Sequence, residues 1–245
     1  AIDLNLDFPK KMGISFAISE WSGWKSNANS TNSGEENYLT IAEDPDVSSI
    51  PPLLRRRLNL LGRSCAGEIL KHIKKGENMP VVYCSQHGDI ERTFKSLEGA
   101  AKGEPTSPMN FSLSVHNAIL GVLSIHLGLT SSISSISSSQ QGLVPVLLEA
   151  VGILMSGADK VLCVLCDVVL PAIYFDEQSL PRNSYAISFI VTKSEGINLN
   201  LKQSEDEVNT KNNKQMPTAL IKFLSSEKNE IHLNHNGLTW KLSRI

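Results

Sequence analysis

The chain has 245 residues, of which 41% are hydrophobic and 20% are charged, and its formal net charge is −2. This length allows one large α/β domain or two small ones, and the near-neutral charge excludes simple electrostatic attraction to nucleic acid or to an anionic membrane. No stretch of 18 residues is both apolar and free of charge, and residues 1–18 lack the pattern of a secretory signal, so we expect a cytoplasmic protein without membrane insertion.

The N-terminal quarter predicts a loop followed by a helix. Residues 22–36 are rich in Ser, Asn and Gly, which is typical of an exposed, flexible loop. Two prolines then introduce a basic amphipathic helix that we expect to continue to about residue 75. Its Arg55, Arg56 and Arg57 belong to a side that faces solvent or a partner.

The next segments alternate between strand and helix. Residues 79–85 predict a short buried strand, and residues 87–103 predict a helix. Residues 111–127 predict a second helix, which Gly128 ends. The uneven Ser and Ile pattern of residues 131–138 fits neither period, so periodicity makes no prediction there.

The rest of the chain continues this alternation and indicates a layered α/β domain with a buried sheet. The predicted elements are a buried helix at 142–157, strands at 160–170 and 184–193, a flexible polar loop at 194–216, a helix near 219–224 and a last strand ending at Trp240, Lys241 and Leu242. We expect residues 1–245 to form one domain.

The cysteines predict buried core thiols. Cys163 and Cys166 have the C-x-x-C spacing of metal and redox sites, but they lie within an apolar run that predicts a strand. Residues three apart on a strand point to opposite faces, so the two sulfurs are not placed to share a metal ion or a disulfide.

Residues 117–167 resemble the N-terminal half of the β-ketoacyl synthases, which are condensing enzymes of the thiolase fold. These enzymes carry an Asn, a Gly, an S-I-x-x-G-L motif, a strand, an Ala-Cys-x-Ser turn and a helix that ends in S/A-G-x-A-D. The matching residues are Asn117, Gly121, Ser124, Ile125, Gly128, Leu129, Ser137, Ser156, Gly157, Ala158, Asp159 and Asp167.

Gln140 occupies the position of the catalytic cysteine in this resemblance. Counting forward from Asn117 and backward from Gly157 gives the same residue. A glutamine amide cannot form a thioester, which excludes acyl loading at this position. In this family the active-site histidines come from a C-terminal half, in motifs of the types H-G-T-G-T and G-H-x-x-G. Neither motif is found in this sequence. Glutamine at this position is what chain length factors carry.

The resemblance extends to half-size β-ketoacyl synthase-like N-terminal domain proteins of aryl polyene-type pathways. The segments that carry it are residues 51–63, 84–97, 107–128 and 217–244. It implies a thiolase-like layered α-β-α fold. It also implies a non-catalytic chain length factor that forms a heterodimer with a β-ketoacyl-ACP synthase in polyketide or fatty-acid-like biosynthesis and meets acyl carrier protein through that complex.

The same resemblance implies roles for two groups of residues. A strand at the dimer interface is expected to contain Ile133, Ser134, Ser135, Ile136 and Ser137. Candidates for lining or gating the partner's acyl tunnel are Met109, Asn110, Phe111, Thr93 and Phe94. Simple core packing is the alternative for Met109, Phe111 and Phe94.

Two other functions stay open at the level of sequence. The first is decarboxylation of malonyl thioesters, which in loading-type ketosynthases accompanies a glutamine at the position of Gln140. The second is an independent acyl hydrolase or transferase that uses one of the many serines as its nucleophile, although no G-x-S-x-G motif is found. We expect no cofactor and no metal. His232 and His235 are three apart on a predicted strand, which separates their side chains.

Overall fold

The computed structural model describes residues 13–26, 39–48, 50–138, 142–174, 183–204 and 217–245. Within them the strands are β1 (Ile14–Lys25), β2 (Thr40–Ile41), β3 (Val81–Ser85), β4 (Ile133–Ser137), β5 (Lys160–Asp167), β6 (Tyr185–Thr192), β7 (Ile197–Ser204), β8 (Glu230–His235) and β9 (Leu238–Arg244). The helices are α1 (Pro52–Arg55), α2 (Leu60–His72), α3 (Ile90–Ala101), α4 (Pro108–Ser114), α5 (Ala118–Leu127), α6 (Leu143–Met155) and α7 (Thr218–Leu224), with a short 3-10 helix at Ala172–Tyr174.

The nine strands of the described residues form one mixed sheet. Its order is β4-β3-β5-β6-β1-β7-β9-β8, and β2 pairs with β1. The strands β4, β3 and β5 are parallel, whereas every later neighbour in the order is antiparallel. The central strands β3, β5 and β6 are buried almost throughout, as expected for a sheet covered on both faces.

Helices cover both faces of this sheet. One apolar core joins α6 and α7 to the face that carries Cys163 and Phe189, and the other joins α2 and α5 to the face that carries Cys166 and Ile190. The predicted layered α-β-α fold is therefore confirmed. The four cysteines are free and buried, and Cys163 and Cys166 point into different cores, as predicted from their spacing.

The predicted helix from residue 51 to residue 75 is wrong in its continuity. The structure has α1 and α2 instead, separated at residues 56–59. The cause is Asn59, whose side chain accepts a hydrogen bond from the backbone N–H of Gly62 at 3.1 Å and so begins a new helix. Asn59 also donates to Asp89 at 2.7 Å, which fixes this break to the start of α3.

The predicted helix at 111–127 is likewise two helices, α4 and α5. Val115 is extended between them, and the Nε2 of His116 donates to the backbone carbonyl of Ile136 on β4 at 2.8 Å. This tertiary contact outweighs the helical pattern of the sequence. Gly128 ends α5 in the left-handed conformation with φ of 75°, as predicted.

Both predicted loops contain strand residues. Ser22–Lys25 form the end of β1, and Ile197–Ser204 form β7, whose Leu199 and Leu201 are buried. The alternation of apolar and polar residues in INLNL is the period of a strand, and here it outweighs the polar composition. Residue 26 and residues 194–196 are loop as predicted, and residues 27–36 and 205–216 lie outside the described residues.

Candidate functional site

The carboxyl ends of three parallel strands lie together at one end of the sheet. They are the ends of β4, β3 and β5, at Ser137, Ser85 and Asp167. Ser85 donates its hydroxyl to Asp167 at 2.7 Å, and the Ser137 hydroxyl lies 3.4 Å from the carbonyl of Gln86. Ligand and reaction sites of open parallel sheets form at such ends, so this is the candidate site.

Asp167 is the centre of a buried polar cluster at this end. Its carboxylate accepts hydrogen bonds from the Ser85 hydroxyl, from the backbone N–H of Gln86 at 2.9 Å and from the Tyr185 hydroxyl at 3.0 Å. Burial raises the pKa of Asp167, and the hydrogen bonds from Ser85, His87 and Tyr185 oppose that shift. Because its donors satisfy both oxygens, Asp167 fixes the loop after β3 and is not a free base.

Gly142, at the start of α6, lies against the end of β3. Gly142 starts α6 with φ of 65°, and a Cβ at this position would clash with the sulfur of Cys84. Only glycine fits such a contact, so Gly142 holds the start of α6 directly against β3. Gln140, the residue at the predicted nucleophile position, lies outside the described residues.

None of the cysteines is available as a replacement nucleophile. Burial, followed by the charge of Asp167, raises the pKa of Cys84 to about 12. Burial also raises the pKa of Cys163 and of Cys166 well above the ordinary value. Cys65 is fully buried as well. A thiol must ionise and meet its substrate to react, and these thiols lack one or both properties.

The strand β4 forms one edge of the sheet. In the described part of the chain it pairs with β3 alone. The N–H of Val81 on β3 bonds the carbonyl of Ser132 at 3.0 Å, which sets the alternation of backbone groups along β4. The N–H and carbonyl groups of Ile133, Ser135 and Ser137 therefore point away from β3, toward the open edge.

The strand β4 and the helices that precede and follow it in the chain, α5 and α6, carry exposed apolar side chains. Ile125 on α5 is 85% exposed, Met155 on α6 is 83% exposed, and Leu148 on α6 and Ile133 on β4 are each 37% exposed. A cavity of about 390 Å³ lies elsewhere, between α3 and α4, and a cavity of about 360 Å³ lies beside β4 and is lined by His116, Asn117, Ile133 and Ser135. We call Ile125, Ile133, Leu148, Met155 and the open side of β4 the edge surface.

The predicted tunnel residues are divided between two places. Met109 and Phe111 on α4 are 58% and 63% exposed, which excludes core packing for them within this chain. Asn110 lines the cavity between α3 and α4. On α3, Phe94 is half-buried and meets the ring of Tyr174 edge to face with centroids 6.5 Å apart, and Thr93 donates its hydroxyl to the carbonyl of Asp89.

A histidine lies within hydrogen-bond distance of both a serine and a carboxylate, but the serine hydroxyl is buried. The Nε2 of His72 is 2.9 Å from the Ser188 hydroxyl, and its Nδ1 is 3.2 Å from the Glu20 carboxylate. Ser188 is fully buried and also donates to Glu68 at 2.7 Å. No substrate can reach this hydroxyl, so the arrangement stabilises the packing of α2 on the sheet and cannot act as a hydrolase triad.

The remaining histidines do not form a metal site. Among the described residues, no group of three or more His, Cys, Asp and Glu side chains is placed to hold a metal ion. His232 and His235 lie on β8, where their spacing separates the side chains. No helix in the described part of the chain is long and apolar enough to span a membrane.

Sequence reasoning missed the donors that meet at Asp167. Ser85, Gln86 and Tyr185 come from segments about 20 to 80 residues away, and no local motif joins them. One signal was present: Asp167 is the only carboxylate in a strand that is otherwise apolar after its first residue. A buried acid at a strand end requires donors, and this requirement was the clue.

Comparisons with known proteins agree with this architecture. The chain is similar in structure to "Ketosynthase (ApeO) in Complex with its Chain Length Factor (ApeC) from Xenorhabdus doucetiae", with 23% identity over 94% of this chain and 100% of the other, and a TM-score of 0.71. It is also similar to "The ishigamide ketosynthase/chain length factor", with 13% identity over 79% of this chain and 68% of the other, and a TM-score of 0.56. At these identities the likeness shows the fold alone.

No curated protein matches the sequence. A family profile does: that of the "Beta-ketoacyl synthase, N-terminal domain" matches residues 21–243. This range contains all the described strands except the start of β1 and the last residue of β9, all seven described helices and the buried cluster around Asp167. The chain therefore belongs to the family of the β-ketoacyl synthase N-terminal domain.

Proposed function

We propose that this chain is a non-catalytic chain length factor that forms a heterodimer with a β-ketoacyl-ACP synthase and shapes the acyl tunnel of that enzyme. The observation that carries the proposal is the edge surface. A sheet edge with outward-facing N–H and carbonyl groups is suited to pairing with a strand of another subunit. The exposed apolar side chains of β4 and of the helices before and after it are suited to cover by the same subunit. Both solved structures named above are described as ketosynthases with chain length factors, which supports this assembly.

The sequence argues against catalysis by the chain itself. Gln140 stands where the resemblance places the nucleophilic cysteine, and an amide does not accept an acyl group as a thioester. The four cysteines are buried, so none of them compensates for this replacement. The buried Ser188 removes the serine hydrolase alternative that its contact with His72 would suggest.

The exposed side chains of α4 support a role in the partner's tunnel. Met109 and Phe111 are large and apolar, yet they contact solvent in the isolated chain. Such side chains are placed to be covered by a second subunit, and at the wall of an acyl tunnel they would limit chain length by steric exclusion. Asn110 lies on the same helix, and Phe94 with Thr93 lies on the neighbouring α3.

The substrate class follows from the same resemblance. We propose a growing polyketide or fatty-acyl chain of the aryl polyene type, delivered by acyl carrier protein to the heterodimer. The chain would bind no nucleic acid, metal or cofactor of its own. It would contribute part of the wall of the partner's acyl tunnel and one side of the heterodimer interface.

Co-expression tests the proposal. The ketosynthase encoded nearest to this chain carries an affinity tag, and native mass spectrometry measures the purified complex. We expect one copy of each chain, and we expect the chain alone to load no acyl group from acyl-carrier protein. A ketosynthase that purifies without this chain and makes the same products would contradict the proposal.

Product length tests the tunnel residues within that complex. Phe111→Ala removes a bulky wall and is expected to lengthen the product, whereas Met109→Trp adds bulk and is expected to shorten it. Leu53→Ala is the matched control, because Leu53 is 76% exposed on α1. Mass spectrometry of the released acyl chains measures the result, and unchanged lengths in both α4 variants would remove these residues from the tunnel.

A further inference from the structure

Glu149 lies next to Leu148 of the edge surface and is the only charged side chain of α5, β4 and α6. Across α5, β4 and α6 the sequence has no Lys, no Arg and no Asp, and Glu149 is its only carboxylate. His126 is the only other titratable residue of these three elements. Glu149 is exposed on α6, between the exposed Leu148 and the exposed Gly152. A lone carboxylate on a surface that is expected to be covered by protein requires a partner for its charge.

Glu149 is held at the strand edge by a hydrogen bond. The hydroxyl of Ser134 on β4 donates to its carboxylate at 2.8 Å. Ser134 shares its face of the sheet with Ile136, which packs on the core beneath α6. A strand added to the open edge would lie about 4.8 Å from β4, so its side chains on this face would lie beside the carboxylate.

Pairing of β4 with a second copy of itself would bring two of these carboxylates together. In an antiparallel pair centred on Ser135, Ser134 lies opposite Ile136 of the other copy. The two Ser134 residues are then diagonal neighbours about 7–8 Å apart, and each binds one Glu149. The two Glu149 carboxylates held by these serines would then face each other across one interface, covered by protein and away from water, where like charges repel.

We propose that Glu149 selects the partner at the edge surface. It disfavours a second copy of this chain and favours a condensing-enzyme subunit that places a Lys or Arg side chain opposite Ser134. The inference rests on the proposed heterodimer. It adds a reason why this chain pairs with a ketosynthase subunit and not with a second copy of itself. Main-chain pairing and apolar cover would be similar in either dimer, so the charge decides between them.

Two equilibria test the selection. Sedimentation velocity measures self-association of the chain alone, and isothermal titration calorimetry measures its affinity for the co-purifying ketosynthase. We expect Glu149→Gln to strengthen self-association by about tenfold and to weaken binding of the ketosynthase by about tenfold. Glu149→Lys should weaken binding of the ketosynthase further, and added NaCl should weaken the wild-type complex more than the Glu149→Gln complex.

The control is Glu227→Gln, because Glu227 is exposed between α7 and β8, at the far side of the sheet. We expect it to change neither equilibrium. If Glu149→Gln also changes neither while the wild-type chain binds the ketosynthase, the inference is wrong and the proposed function stands. If the wild-type chain self-associates as tightly as it binds the ketosynthase, the inference is wrong too. If the wild-type chain binds no ketosynthase, the proposed function fails, and the inference fails with it.

Discussion

Asp167 shows how one residue organises the end of the sheet. Its carboxylate joins the last residue of β3, the backbone after it and the first residue of β6. Asp167 is 5% exposed, and burial of a charge is unfavourable unless donors surround it. Ser85 and Tyr185 supply side-chain donors, and Gln86 supplies a backbone N–H. The cluster therefore sets the position of the loop that precedes α3.

Asp167→Asn tests this role. The asparagine NH₂ group is a donor, and it would face the Ser85, Gln86 and Tyr185 groups that donate to Asp167. At least one hydrogen bond is therefore lost, and we expect the free energy of unfolding to fall by about 1–3 kcal/mol. Urea denaturation followed by circular dichroism measures the loss. Asp159→Asn is the matched control, because Asp159 is exposed just before the same strand and should change stability by at most about 0.5 kcal/mol.

The pH dependence of this difference has a defined sign. The pKa of Asp167 is raised in the folded state above its ordinary value of 3.8, chiefly by burial. The stability that Asp167 contributes is therefore fully present below the ordinary pKa of 3.8, and it is lost as pH rises through the higher folded-state pKa. The difference between wild type and Asp167→Asn should shrink as pH rises from about 4. A difference that grows with pH would contradict the direction of the shift.

At the scale of elements, β4 has a different character from the other parallel strands. The strands β3 and β5 are buried, whereas β4 has an exposed or half-buried residue at each position. Its outward N–H groups take no part in pairing with β3. An edge strand of this kind tolerates proline at outward positions, since no hydrogen bond of the sheet is removed.

Ser135→Pro uses this geometry to separate folding from assembly. The variant removes an N–H that points to the open edge, so we expect stability to change by less than about 1 kcal/mol and binding of the ketosynthase to weaken by at least about tenfold. The control is Ser134→Pro, whose N–H points toward β3, and which should destabilise the chain itself. Urea denaturation and titration calorimetry measure the two effects, and equal binding by wild type and Ser135→Pro would refute the use of this edge.

Elements set by their own local sequence were predicted correctly, whereas breaks set by contacts with distant residues were not. Long buried runs with one period gave correct elements, as at α6, β5 and β6. The breaks before α2 and α5 were not predicted, because Asn59 and His116 are set by contacts with Asp89 and Ile136. The resemblance to β-ketoacyl synthases implied a strand at residues 133–137, which is β4, where hydrophobic periodicity alone made no prediction.

At the scale of the whole molecule, the sheet joins two apolar cores that the helices alone would leave separate. The strands β1, β5 and β6 supply residues to both, because successive side chains alternate between faces. Trp21 and Trp24 of β1 illustrate this. Trp21 packs on the core of α6 and α7 and donates to Ser225 at 3.1 Å, whereas Trp24 is buried in the core of α2 and α5. The same strands form one wall of each core, so unfolding of either core would expose one face of these strands to water and destabilise the other core.

We therefore expect residues 1–245 to unfold as one cooperative unit. The chain has three tryptophans, and Trp240 packs on the same core as Trp21. Trp24→Phe leaves reporters of one core, and the double variant Trp21→Phe with Trp240→Phe leaves a reporter of the other. For each variant, the urea midpoint by fluorescence should coincide with the midpoint by far-ultraviolet circular dichroism, as in a two-state transition. Fluorescence and circular dichroism that separate within one variant would instead mean that the two cores melt independently, and that the sheet does not couple them.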